Sequence, residues 1–181
     1  KSQKFEILDI GTGTGCIPIS VKTNLPQANV SAIDVSEKAL EVAKRNAVSN
    51  NVEVNFIQAN ILEVEDLNQL PSSITHHPSS YNIIVSNPPY VRNLEKQEIK
   101  KNVLDYEPHS ALFVEDTDAL LFYRKIAQLA LKNLSPNGLL FFEINQYLGK
   151  ETVELLDNLG FKNIELKKDI YGNDRMIKCK K

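Results

Sequence analysis

A chain of 181 residues and 20.4 kDa fits one domain at about 150 residues per domain, with hardly room for a second. Apolar side chains make up 42% and charged ones 24%, close to globular averages, which excludes wholesale disorder and low-complexity sequence. The balance of 21 basic against 23 acidic residues, a net charge of -2, argues against a protein whose affinity comes mainly from neutralising phosphates. Two cysteines, Cys16 and Cys179, lie far apart with no CxxC pair and no neighbouring histidine, so neither a disulfide framework nor a zinc site is expected. No apolar run approaches the roughly 18 residues of a membrane span, and Lys1-Ser-Gln-Lys-Phe-Glu6 has no signal-peptide core. The expected location is the cytoplasm, as a monomer without a membrane or nucleic-acid partner.

Helix-period segments alternate with short β-rich runs, the pattern of an α/β domain with a mostly parallel sheet. Phe5–Ile10 reads as the first strand and Cys16–Thr23 as the helix after a glycine-rich turn, ended by Pro26. Asn29–Asp34 is the second strand. The helix Glu37–Val48 follows, capped by Ser36, with Ala39, Leu40, Ala43 and Ala47 on one face. Glu53–Gln58 is the third strand. Leu67–Ser80, rich in Pro, Ser and His, reads as a surface loop before a fourth strand at Tyr81–Val85. Asn87–Glu115 is irregular, and irregular stretches of that length often cover active sites. A helix over Asp118–Asn133, a turn at Ser135-Pro-Asn-Gly138 and a strand at Leu139–Ile144 come next. Helix Lys150–Leu159, strand Lys162–Lys168, a turn at Gly172 and strand Arg175–Cys179 close the chain, the last two strands as an antiparallel hairpin.

Asp9-Ile-Gly11-Thr12-Gly13-Thr14-Gly15 lies between a strand and a helix. Small residues there let a ligand approach backbone, and a helix N-terminus offers N–H groups, so a nucleotide-like ligand is the natural reading. A dinucleotide fingerprint would need Gly or Ala where Cys16 stands. Asp34 ends the second strand 19 residues after Gly15, where a carboxylate can accept hydrogen bonds from ribose hydroxyls; the alternative is a strand-end Asp that caps the next helix. The glycine spacing, with an acid two residues before the first, resembles motif I of class I S-adenosylmethionine-dependent methyltransferases. That resemblance implies Asp9 near the methionine ammonium end, Gly11, Thr12, Gly13, Thr14 and Gly15 around the body, Asp34 on the ribose, and Asn60 and Ile61 beside the adenine.

Ser86-Asn87-Pro88-Pro89-Tyr90 follows the fourth strand at its carboxyl end, near the crevice where open α/β sheets bind ligands. Two prolines restrict the turn and leave carbonyls without sheet partners, and Asn87 adds a side-chain acceptor. An amino or amide NH2 held by two acceptors, the Asn87 side-chain oxygen and a backbone carbonyl, would aim its lone pair at a cofactor methyl, with Tyr90 as a flat wall. Asn87, Pro88 and Tyr90 are the expected catalytic group; Pro89 joins them in binding substrate, and Asn87 also borders the cofactor. Motifs of this kind serve methylation of adenine N6, cytosine N4, guanine N2 and glutamine amides, so the motif names the atom better than the substrate.

Taken together, Asp9–Gly15, Ser86–Tyr90, Tyr106-Glu-Pro108 followed by Ala111-Leu112, Ser135–Gly138 with Glu143, and Asp169 through Gly172 to Asp174-Arg175 resemble the HemK/PrmC family. The resemblance implies an α/β, Rossmann-like fold: a mostly parallel seven-stranded sheet, an antiparallel C-terminal hairpin and helices on both faces. It implies transfer of the methyl of S-adenosylmethionine to the amide N5 of the glutamine in the Gly-Gly-Gln motif of peptide chain release factors, leaving S-adenosylhomocysteine. A ribosomal protein glutamine is the nearest alternative, and a DNA or RNA amino group a more distant one. The chain departs from the family's Glu-Ile-Gly by having Glu143-Ile-Asn145-Gln146. Family members also carry an N-terminal helical recognition domain, so residues 1–181 are expected to be the catalytic module of a longer protein. Asp174 and Arg175 are expected in a turn or a structural ion pair, Phe141 and Phe142 in the core, and Cys16 as a small packed residue. Glu107 and His109 are loop residues that could line a substrate pocket, while His76 and His77 are expected to be plain loop residues.

Overall fold

The computed structural model describes residues 5–70, 78–98 and 113–181. Strand β1 (Glu6–Ile10) is apolar on both sides and almost wholly buried, as a central parallel strand must be. Helix α1 (Cys16–Asn24) follows, with Pro18 tolerated in its first turn. Its end is fastened by the Lys22 ammonium, which donates to the carbonyls of Pro26 (3.0 Å) and Ala28 (2.7 Å). Strand β2 (Asn29–Asp34) leads to α2 (Glu37–Ser49). The Ser36 hydroxyl accepts from the Ala39 N–H, and Leu40, Ala43 and Ala47 form the buried face, as the sequence spacing predicts. Strands β3 (Asn55–Gln58) and β4 (Tyr81–Ser86) complete the first half.

Beyond β4 come the short strands β5 (Val91–Arg92) and β6 (Phe113–Val114), then helix α3 (Leu121–Asn133), β7 (Leu134–Glu143), α4 (Gly149–Leu159), β8 (Lys162–Lys168) and β9 (Asp174–Lys180). The seven-stranded sheet has the order β3-β2-β1-β4-β7-β9-β8. Its first five strands pair in parallel, while β9 runs antiparallel between β7 and β8. The winding direction changes between β1 and β4, the position where such sheets open a crevice at their carboxyl ends. The last rung there pairs Ile10 with Ser86, and the Ser86 hydroxyl donates to the Ile10 carbonyl at 2.6 Å. Gly11 and Asn87 therefore leave the sheet side by side.

One sheet face packs Leu8, Ile84, Leu140 and Phe142 against Tyr123 and Ile126 of α3 and Leu156 of α4. The opposite face packs Ile7 and Val30 against Val21 of α1. Each of these large side chains contributes about 1.5–3 kcal/mol by burial. Tyr123 and Phe142 meet edge to face, centroids 5.2 Å apart, a favoured aromatic arrangement.

Several local expectations change. The Ser135–Gly138 turn does not separate helix from strand; it is a bulge inside β7, where pairing steps from Tyr81 with Leu134 to Ile83 with Leu139. Asn137 takes the positive φ of 66° that the bulge needs. The loop from Leu67 opens with a 3-10 turn whose Leu67, with Leu70, is buried in the core; a short apolar pair in a polar stretch gives too little periodicity to reveal this. The region after Asn87 holds the small parallel pair of β5 and β6 and a 3-10 helix, Asn93–Glu98. The helix expected from Asp118 starts at Leu121, after a separate 3-10 turn. Phe142 is core at 2% exposure, Phe141 is half-buried, and Cys16 is exposed rather than packed.

Candidate functional site

The crevice is built from the ends of β1, β2 and β4 and the segment after β7. The glycine turn is closed largely on itself. Gly11 and Thr12 N–H groups donate to the Ile33 carbonyl (2.8 and 3.0 Å), Gly13 N–H donates to Asp34 Oδ2 (2.7 Å), and Gly15 N–H donates to the Thr12 carbonyl (3.0 Å). Four donors that a phosphate would want are thus spent inside the fold, so the turn is not the phosphate cradle that glycine-rich turns before helices often form. Gly11 has a φ of 76°, and a Cβ on it would point at the Asn87 carbonyl oxygen 3.8 Å away, the direction in which the crevice opens. Gly15 has a φ of 86°, and a Cβ there would lie 3.0 Å from the Ala43 Cβ and 3.1 Å from Ile19 Cδ1. Gly15→Ala is therefore expected to lose about 1–3 kcal/mol of stability through strain and overpacking, visible as a lower midpoint in thermal unfolding.

Asp9 lies at the mouth of this turn at 1% exposure. Neither of its carboxylate oxygens, nor the Thr12 hydroxyl, has a hydrogen-bond partner among the described residues. Desolvation pushes the Asp9 carboxyl up to about 7; the Thr12 hydroxyl beside it offsets part of this, and the Asp34 charge adds to it. A buried carboxylate without a partner costs stability, and such a group is the natural place for a cationic ligand atom.

Asp34 both braces the turn and opens α2: Oδ2 accepts from Gly13 N–H, and Oδ1 accepts from Ser36 N–H at 2.8 Å. Each oxygen keeps a lone pair for a ligand hydroxyl. The Asn60 amide donates to Glu63 Oε1 (2.8 Å) and its oxygen accepts from Leu62 N–H (3.2 Å). One amide hydrogen and one oxygen lone pair remain for a ligand. Ile61 belongs to the main core at 8% exposure. The Thr14 carbonyl accepts from the Asn46 amide at 2.9 Å, which ties α2 to the turn.

On the other wall, Asn87 is exposed and Pro88 buried. Tyr90 is held at both ends. Its hydroxyl donates to Glu143 Oε1 at 2.8 Å and accepts from Arg175 Nη1 at 3.4 Å, while its carbonyl accepts from the Asn145 amide at 2.9 Å. Burial, followed by the neighbouring Glu143, raises the Tyr90 phenol well above its ordinary value, so it stays neutral at physiological pH. Arg175 pairs with Asp169 at 3.6 Å, and Asp174 pairs with Lys168 at 2.9 Å. These are the structural ion pairs expected at the hairpin turn, although the two residues do not pair with each other. Glu143, Asn145, Arg92 and Glu95 are site residues that motif reading leaves without a role. Glu143, which belongs to the resemblance, and Asn145, where the resembled family has Gly, are the two that the sequence marks. Tyr106, Glu107, Pro108, His109, Ala111 and Leu112, with His76 and His77, lie outside the described residues.

The chain is 67% identical over 176 residues to a release factor glutamine methyltransferase of Flavobacterium psychrophilum, covering 97% of this chain and 58% of that protein. It is 44% identical to one of Bacteroides thetaiotaomicron, covering 94% of this chain and again 58% of the relative. The chain thus spans somewhat over half the length of these relatives. Among solved structures it superposes on a methyltransferase from Pyrococcus furiosus with a TM-score of 0.65 at 18% identity, over 98% of this chain and 75% of that one. The ribosomal protein L11 methylase of Lactobacillus delbrueckii gives 0.60 at 18% identity, over 99% and 69%. Those two likenesses establish the fold, the Rossmann-like architecture of class I methyltransferases. Residues 1–108 match the family described as methyltransferase small domain, and since they hold both the glycine turn and the Asn-Pro-Pro-Tyr turn that frame the crevice, the chain belongs to the methyltransferase small domain family.

Proposed function

We propose that this chain is the catalytic module of a protein that methylates the glutamine amide N5 in the Gly-Gly-Gln motif of peptide chain release factors, with S-adenosylmethionine as methyl donor. The observation that carries the reading is the adjacency of the two turns: Gly11 and Asn87 follow the paired Ile10 and Ser86 directly, which supports a donor site and an amide-holding site that share one crevice. The names of the two relatives above support release factor glutamine as the substrate.

The residues fit the donor. The buried Asp9 carboxylate, with no hydrogen-bond partner within distance among the described residues, suits its ammonium group, the closed turn suits a ligand without phosphate, and Asp34 suits the ribose hydroxyls. S-adenosylmethionine supplies a sulfonium methyl that a nitrogen nucleophile can take. An amide nitrogen is a poor nucleophile because its lone pair is delocalised, so this chain's contribution is position. The Asn87 side-chain oxygen and the Pro88 carbonyl accept the two amide hydrogens, which fixes the nitrogen and favours loss of planarity. The Tyr90 ring, anchored at its hydroxyl and carbonyl, bounds the slot. A proton leaves to solvent once the nitrogen carries its methyl.

The test is mass spectrometry of purified release factor and ribosomal proteins after incubation with the full-length protein and labelled S-adenosylmethionine. Label on the Gly-Gly-Gln glutamine is the expected result. Label confined to a ribosomal protein or to RNA would replace this substrate assignment.

A further inference from the structure

Two residues beyond β7, the side chain of Asn145 is 3% exposed and every polar atom of it is used. Its amide donates to the Tyr90 carbonyl at 2.9 Å and to Glu95 Oε2 at 2.7 Å, and its oxygen accepts from Tyr147 N–H at 2.9 Å. Its own N–H donates to the Tyr123 hydroxyl at 3.2 Å. Glu95, buried at 6% exposure, also pairs with the Arg92 guanidinium and accepts from the Arg92 N–H at 3.3 Å. Arg92 in turn lies over the Tyr147 ring, 5.9 Å from its centroid. The contacts close a ring: Asn145 to Glu95, Glu95 to Arg92, Arg92 to Tyr147, and Tyr147 back to Asn145.

From this geometry we propose that Asn145 is a positioning residue, which clamps the outgoing end of the Asn87–Tyr90 turn to the segment after β7 and so fixes the groups that hold the substrate amide. The proposal rests on the glutamine reading for what is being positioned. The incoming end of the turn is already fixed by Ser86 on Ile10. Without Asn145 the Tyr90 carbonyl itself is unheld among the described residues, and the outgoing end keeps the Tyr90 hydroxyl contacts at the tip of a side chain and the two-residue pairing of β5 with β6. An amide is the group the place requires, because it offers two donors to two acceptors and one acceptor to a donor. A carboxylate at 145 would have no donor and would face Glu95 with like charge; Gly or Ala would leave the Tyr90 carbonyl unheld.

The experiment compares wild type, Asn145→Asp and Asn145→Ala in the full-length protein; the second variant serves if the added charge prevents folding. Three quantities are read: cofactor affinity by calorimetry, kcat on release factor, and hydrogen exchange over residues 90–95. Both variants are expected to hold the cofactor dissociation constant within about threefold while kcat falls about 10–100-fold, the size of effect that misplacement of reacting groups produces. Exchange over 90–95 should quicken at least about tenfold, and the ratio of Asn145→Asp to wild-type kcat should rise as pH falls from 8 to 6, when a protonated carboxyl regains a donor. A folded variant with kcat within threefold of wild type overturns the proposal, as does cofactor affinity falling in step with kcat. If wild type leaves release factor unmodified, the substrate reading fails by itself; exchange over 90–95 then decides the clamp, and unchanged exchange overturns it.

Discussion

Replacing Asp9 with Asn is expected to raise the stability of the ligand-free chain and at the same time to weaken binding of S-adenosylmethionine. The two effects have opposite signs because one buried carboxylate causes both. In the folded chain its pKa stands near 7, against an ordinary value of 3.8, chiefly through desolvation. Between those limits the folded state holds a proton that the unfolded state has lost. Stability is therefore full below about pH 4 and falls as pH rises toward 7, by up to about 4 kcal/mol from this group. Asparagine has the shape of the protonated acid and carries no such penalty. Thermal melts should show Asp9→Asn several degrees more stable than wild type at pH 8, the two converging near pH 4. Losing the charge proposed to meet the cofactor ammonium should weaken binding about 10²–10³-fold, the usual cost of removing one partner from a buried pair. Calorimetry of the wild type in buffers of different ionisation enthalpy should also reveal proton release on binding near pH 7, since a cation beside Asp9 lowers its pKa. A variant that is less stable than wild type at pH 8, or that binds within tenfold, would remove Asp9 from this role.

Asn87→Ala should lower the turnover of the full-length protein on release factor by about 10²–10³-fold, the range seen when one pre-placed polar contact to a reacting group is removed. Cofactor affinity should change by less than about tenfold, because Asn87 faces the crevice near Gly11 through its backbone carbonyl, which the substitution keeps. Stability should hardly move, the side chain being exposed. Near-normal methylation would sink the assignment of the amide-holding site. Equal losses of cofactor affinity and turnover would make Asn87 a cofactor residue instead.

The fold was legible wherever periodicity and punctuation agreed. Gly15, Ser36, Pro26 and Asp34 mark element ends through local backbone chemistry, and the structure places those ends within a residue or two of their expected positions. The glycine and Asn-Pro-Pro-Tyr turns were legible because their geometry is encoded within a few consecutive residues. What escaped depends on contacts between distant segments. Glu143 meets Tyr90 from 53 positions away and Asn145 meets Glu95 from 50; the resemblance marks both positions, but the contacts they make leave no local signature. The bulge in β7 was hidden for a related reason, as Ser-Pro-Asn-Gly is turn chemistry that only the pairing of Leu134 with Tyr81 converts into an interruption of a strand. The N–H groups of the glycine turn looked open to a ligand in sequence, and only the proximity of Ile33 and Asp34 shows those of Gly11, Thr12 and Gly13 already engaged.

The position of β9 bears on how the chain reaches its working state. Because β9 lies between β7 and β8, β8 joins the sheet solely through its hairpin partner. The two strands pair with each other across a short turn, and only β9 of the two pairs with β7. Arg175 belongs to that hairpin, so the Tyr90 anchor takes its third member from the strand that joins the hairpin to the rest of the sheet. Completion of the sheet and completion of the Tyr90 anchor therefore rest on one and the same strand.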